Sequence, residues 1–261
     1  MHITALDDAA WDSPWRTIPV GHKVALSGAL LLTALVSPVW PGCVAVATAA
    51  VALTLGWARI PLRTLTLAMT PPLAFIVIGG LTVAVVLGGE PSASALVAGP
   101  LWLDSDSIER GISATAHGIA GTLSLMLLAT TTPMSDLLSW LRSLGVPAPL
   151  VEVAGLTYRL LFVLLEVALA IRAAQLARLG NVARGTRRVN HGLHQAASAA
   201  GSVLLRAWDR SSRLQAGLEG RGYTGELRTL APVHAVSVAF VAVGLAVVAG
   251  IWALTLVAGL R

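Results

Sequence analysis

This sequence predicts an all-α polytopic membrane protein, with about five transmembrane helices and a cytoplasmic set of long amphipathic helices. Three observations carry that prediction. Only 12% of the 261 residues are charged while 56% are hydrophobic, giving a mean hydropathy of +0.77, whereas soluble domains carry about 25% charge. Apolar runs reach the length of about 18 residues needed to cross a bilayer. None of these runs alternates apolar with polar residues as barrel strands do, and in hydrocarbon only helices and closed barrels satisfy their backbone groups.

Other features bound the class further. The single Cys43 excludes an internal disulfide and a cysteine metal cluster. The N-terminal MHITALDDAAWDSPW is acidic and has no Lys or Arg before Arg16, which is the wrong start for a cleaved signal peptide. The expected location is the bacterial inner (plasma) membrane, multi-pass. Of the 18 basic residues, ten lie between Arg172 and Arg228, opposed there only by Asp209, Glu219 and Glu226.

Five spans are predicted, at about Lys23–Val36, Gly42–Trp57, Pro71–Leu87, Ile108–Thr130 and Val233–Leu256. The third takes Thr70 as N-cap and Pro71 in its first turn. Arg16, Lys23, Arg59 and Arg63 flank the first two spans, which puts that side and the N-terminus in the cytoplasm. The loop GGEPSASALVAGPLWLDSDSIER holds Glu90, Asp104, Asp106 and Glu109, and reads as the outer loop, with Gly99-Pro100 as a small hairpin turn.

The segment 147–170, PAPLVEVAGLTYRLLFVLLEVALA, is apolar enough to resemble a sixth span. Crossing there would place the arginine block outside, against the positive-inside tendency. Glu152, Arg159 and Glu166, seven residues apart, share one helical face, and a charge at the bilayer centre costs about 3 kcal/mol on insertion scales. The segment is therefore predicted to lie along the membrane surface or against protein. The chain then divides into a membrane bundle over 1–130, a cytoplasmic helical region over 131–230 and a C-terminal span over 231–261.

Three helical pieces occupy that cytoplasmic region. TTPMSDLLSWLRSLGVPAP starts at Pro133, presents Leu137, Leu138, Leu141 and Leu144 on one face, and ends at Gly145 with Pro147 beyond. A second piece follows from 147 to about 180, with Arg172 and Arg178 in its last turns. The third runs from near Asn190 to Glu219, with Arg206, Arg210 and Arg213 as a stripe beside an apolar face. Lys23 is the only lysine, so no phosphate-binding Gly-x-x-x-x-Gly-Lys loop exists. His117, inside the fourth span, is expected to make a hydrogen bond between helices. A membrane bundle, an arginine-rich helical platform and no energy source of its own describe a transporter subunit that borrows energy from a separate ATPase.

The residues then resemble a known family, the transmembrane T component of energy-coupling factor transporters, most closely the CbiQ type of cobalt uptake systems. The likeness covers nearly the whole chain. It rests on DSPWRTIPVGHKVAL, on ARIPLR, on TTPMSDLLSWLRSLGVP and on two short Ala-Arg-Gly motifs ending two coupling helices. LEGRGYTG is similar to the second motif at Arg221 and Gly222, next to Glu219, with Gly220 in place of Ala. AQLARLG is similar to the first at Ala177 and Arg178, with Leu179 before Gly180. An intact Ala183-Arg184-Gly185 follows, so Arg184 and Gly185 are the alternative first motif.

The resemblance implies a non-catalytic scaffold that binds no cofactor; the ATP is used by partners. Those partners are two ABC-type ATPase subunits (CbiO-like) and a substrate-binding membrane subunit (CbiM-like, with a small CbiN-like subunit), together with the lipid bilayer and no nucleic acid. It further implies that each motif arginine docks in an ATPase groove, and that the cobalt ligands belong to the partner. Nickel or a vitamin is the alternative cargo. A membrane-surface module binding anionic lipid through its arginine block is the alternative class.

Overall fold

The computed structural model describes residues 7, 9–87, 96–98, 101–177, 186–223 and 237–259. Its contacts group into two compact units, Met1–Leu137 with Pro232–Arg261, and Leu138–Ala231.

The first unit begins with a short 3-10 turn, Pro14–Thr17, whose Trp15 amide is held by the Ser13 hydroxyl at 3.3 Å. That turn drives Trp15 inward, where it is 1% exposed. Its ring meets Trp57 and Phe240 edge-on, with centroids 5.3 and 4.9 Å apart. Such pairs add about 1 kcal/mol beyond area burial. Helix α1 (Val20–Val36) starts directly after Pro19, three residues earlier than predicted, and at 17 residues spans about 25 Å.

The next rod, Val39–Trp57, has a regular centre, α2 (Val44–Ala52), between two wider turns with i→i−5 bonds such as Ala58 N to Leu53 O at 2.8 Å. Trp40 is extended, so the helical course begins at Pro41, close to the predicted Gly42. Arg59, at φ +52°, turns the chain out of the rod.

Helix α3 (Leu62–Ala84) corrects the predicted third span. It begins nine residues earlier, with Pro61 as N-cap, and carries Pro71 and Pro72 in its interior. Thr70 is no cap; its hydroxyl donates to the Thr66 carbonyl at 2.7 Å. Two prolines remove two amide donors, but ending a helix inside hydrocarbon would orphan more backbone groups than that.

Helix α4 (Ser105–Thr131) begins where Asp104 and Ser107 form a capping box; the Asp104 carboxylate accepts from Ser105 N at 2.9 Å. Helices α3 and α4 touch backbone to backbone. A Cβ on Gly111 would sit 2.7 Å from the Gly80 carbonyl oxygen and 2.8 Å from the Ala84 Cβ, so only glycine permits this approach. Gly111→Val is expected to destabilise the unit by about 2 kcal/mol through overpacking, read as a lower melting temperature in detergent.

Between α3 and α4 the strands β1 (Val86–Leu87), β2 (Leu96–Ala98) and β3 (Leu101–Leu103) form a small antiparallel sheet in the order β1-β3-β2. Ala98 pairs with Leu101; Gly99 and Pro100, read in the sequence as a turn, lie outside the described residues. The last helix of this unit, α8 (Val238–Gly259), places Phe240 and Ile251 in the core with Leu30, Val46, Ala120 and Leu127.

Two further helices and one shared with the first unit make up the rest. Helix α5 (Met134–Ser143) stops at Gly145, whose φ is +89°. Helix α6 (Ala148–Ala177) is one unbroken helix of 30 residues, and α7 (Thr186–Glu219) is an amphipathic helix of 34 residues. Among the described residues, five helical stretches are long and apolar enough to cross a membrane, Val39–Trp57, Leu62–Ala84, Ser105–Thr131, Ala148–Ala174 and Val238–Gly259. This set differs from the predicted five by one member. Ala148–Ala174 qualifies on length and composition, because charges spaced seven apart leave an 18-residue window with at most two of them, while Val20–Val36 is shorter.

Candidate functional site

The last turn of α7 holds three of the predicted site residues in one motif. The Gly222 amide donates to the Glu219 carbonyl at 3.1 Å and the Tyr223 amide to the Leu218 carbonyl at 3.0 Å. These two bonds define a Schellman end, with Arg221 as C-cap and Gly222 as the left-handed C′ residue at φ +77°. Arg221 is exposed, so its guanidinium stands at a helix end whose backbone direction is fixed. Glu219, also exposed, accepts from the Gln215 amide at 3.0 Å. Gly220 ends the regular part, its amide bonded to the Ala216 carbonyl at 3.0 Å.

The same geometry closes α5. Gly145 N reaches Arg142 O at 3.1 Å and Val146 N reaches Leu141 O at 3.4 Å. Leu-Gly-Val and Arg-Gly-Tyr are thus two uses of one stop signal, a left-handed glycine followed by an apolar residue. Gly222→Ala must force a Cβ into a left-handed conformation that costs about 1–2 kcal/mol. The expected result is a frayed α7 end, measured as faster amide hydrogen exchange at 218–223.

Tyr223 then ties this end to the start of α6. Its hydroxyl donates to the Glu152 carboxylate at 3.1 Å, and Glu152 is 9% exposed. Burial, and then the neighbouring carboxylate, raise the Tyr223 phenol above its usual range. This tie was not legible in the sequence. Glu152 read there as one of three charges on a face, and nothing in LEGRGYTGELR names a partner 71 residues away.

Ala177, the final residue of α6, is exposed. Arg178, Arg184 and Gly185 lie outside the described residues, so the register of the first motif does too.

A second polar cluster sits at one end of the first unit. Lys23, 2% exposed, donates from Nζ to the Thr131 carbonyl at 3.0 Å, at the C-terminus of α4. The Asp136 carboxylate, 8% exposed, interacts electrostatically with the same ammonium. Its Oδ1 accepts from the Ser135 hydroxyl at 3.3 Å. Sequence reasoning used Lys23 as a topology charge and to exclude a phosphate-binding loop, not as a structural cation; its status as the one lysine among 18 basic residues was the available signal. His117 lies between the Ser113 carbonyl, 2.7 Å from Nδ1, and the Ser37 carbonyl, 3.3 Å from Nε2; with its proton on Nε2 the ring donates to Ser37 at the end of α1, the predicted hydrogen bond between helices. Among the described residues no three His, Cys, Asp or Glu side chains could hold a metal ion.

Comparison with known proteins places this geometry in a lineage. The family described as CbiQ, cobalt transport protein, matches residues 12–232. The cobalt transport protein CbiQ of Rhodobacter capsulatus is 36% identical over 237 residues, 91% of each chain. That of Salmonella typhimurium is 28% identical over 232 residues, 86% of this chain and 99% of the relative. A protein of Methanocorpusculum labreanum, named as a putative fused cobalt transport protein CbiMQ, is 26% identical over 223 residues, 84% of this chain but 36% of that longer one. A multi-pass helical membrane protein matched by the family over most of its length, the chain belongs to the CbiQ family of cobalt transport proteins.

Proposed function

We propose that the chain is the transmembrane scaffold and coupling subunit of an energy-coupling-factor importer for cobalt ions. In this reading it transmits the ATP-driven motion of two cytoplasmic ATPase subunits to a substrate-binding membrane subunit. It catalyses nothing itself. It sits in the bacterial inner membrane with its N-terminus in the cytoplasm. Cobalt is cargo and is liganded by the partner.

The observation that carries the proposal is the end of α7. Arginine stays charged and offers five donors in a rigid fork, suited to carboxylates in a protein groove. A Schellman end fixes where that fork starts, and the tie from Tyr223 to Glu152 braces the turn against α6. Arg221 is assigned as the anchor, Gly222 as the turn, and Glu219 as the residue flanking it on the helix. Ala177 and Arg178 form the corresponding first anchor, with Arg184 and Gly185 as its alternative register. A relative named as a CbiMQ fusion supports a CbiM-like protein as the substrate-binding neighbour. Family membership supports cobalt over other cargo.

The test is co-purification. The affinity-tagged chain, expressed with its neighbouring proteins and extracted in mild detergent, is expected to bring down an ATPase dimer and a membrane subunit that binds cobalt. Recovery of the chain alone, folded and monodisperse, would refute the reading.

A further inference from the structure

A groove of about 530 Å³ runs between α6 and α7, inside the second unit. One side carries Arg206, Arg210 and Arg213 from α7, at positions i, i+4 and i+7, with Arg159 from α6 facing the same space. Apart from Arg159, the α6 side is apolar, lined by Leu156, Leu160, Val163 and Val167. We propose that this groove binds one anionic phospholipid, with the phosphate held by the arginines and an acyl chain laid along α6.

Three arguments support that occupant. The first is charge. Arg213 is paired with Asp209 at 3.3 Å, but both side chains are more than 70% exposed, so the pair neutralises little. No acidic residue lines the groove among the described residues. Like charges at i, i+4 repel each other, and that row calls for an external anion. The second is geometry. Guanidinium groups engage phosphate oxygens bidentately, and several converging on one volume suit a single phosphate better than scattered carboxylates. The third is the wall. A mostly leucine and valine wall from α6, with Arg159 at one point of it, facing an arginine row on α7 fits an amphiphile, and α6 is itself apolar enough to belong among lipid chains. The volume falls within the about 300–1,000 Å³ of ordinary ligand sites.

The site does not depend on the coupling role, and the test keeps them apart. The purified chain in a neutral detergent is titrated with dioctanoyl-phosphatidylglycerol, dioctanoyl-phosphatidylcholine or inorganic phosphate, and bound species are counted by native mass spectrometry. Saturable binding of one phosphatidylglycerol is expected, about tenfold tighter than either of the other two. Arg206→Gln and Arg210→Gln should each weaken it about fivefold or more. Arg172→Gln, the same charge change on α6 away from the groove, should leave it unchanged, as should Arg221→Glu. Equal binding of the two lipids overturns the proposal, as does free phosphate binding as tightly as phosphatidylglycerol. So does an equal loss in Arg172→Gln, which would mark general basic attraction. Loss of an ATPase from the complex in Arg210→Gln, with lipid binding intact, would assign the arginines to acidic protein groups and overturn it too.

Discussion

Lys23→Met is expected to destabilise the folded chain by about 3 kcal/mol or more, a larger loss than Gly111→Val or Gly222→Ala brings. The ammonium is almost wholly buried and donates to the last carbonyl of α4, that of Thr131. A helix C-terminus leaves carbonyls without intrahelical partners and carries partial negative charge, so a cation there satisfies both. Asp136, in the first turn of α5, acts on that ammonium through its charge and is itself buried, with Oδ2 lacking a hydrogen-bond partner. Methionine preserves most of the volume and removes the charge. It leaves the buried Asp136 carboxylate without the neighbouring positive charge, and an uncompensated buried charge is costly. The check is denaturant unfolding in detergent micelles. The double variant Lys23→Met/Asp136→Leu should recover most of the loss, because it removes both partners. Additive losses in the double variant would show that the two groups do not interact.

Arg221→Glu is expected to abolish cobalt uptake and to release the ATPase pair while the chain still inserts and folds. Arg221 is exposed, so replacing it empties no packed space and little stability should change. What changes is a charge reversal at a directed helix end, where like-charge juxtaposition in an acidic groove costs several kcal/mol of association. Uptake of labelled cobalt into cells and pull-down of the ATPases measure the two consequences together. A graded loss in step with total positive charge, screened by salt, would instead match nonspecific attraction to anionic lipid.

Much of the fold was legible in the sequence because the membrane imposes strong rules. Apolar length marked α4 and α8 to within a few residues, and Gly145 announced its turn by position alone. The failures have physical causes. Pro71 and Pro72 read as a helix start because in water they would be one; in hydrocarbon the helix runs on through them from Pro61. Ala148–Ala174 is a separate case rather than a failure: its charge pattern is of surface type and its length of spanning type, and the sequence reading followed the charges. At the site, Arg221 and Gly222 could be placed because a left-handed glycine is a local event. The braces were hidden because they are not local. Tyr223 to Glu152 and Lys23 to Thr131 bridge 71 and 108 residues, and periodicity carries no information over such distances.

Whether Arg221 meets an ATPase can be read from one cross-link. Cys43, the only cysteine, is buried, so Arg221→Cys offers a single accessible thiol. With a short reagent that joins the thiol at one end and inserts photochemically into any nearby C–H bond at the other, a coupling role for Arg221 predicts one covalent adduct between this chain and an ATPase subunit in the assembled complex, which ATP binding should shift in yield. An intact complex in which Arg221→Cys reacts with the reagent but joins no ATPase would contradict that role.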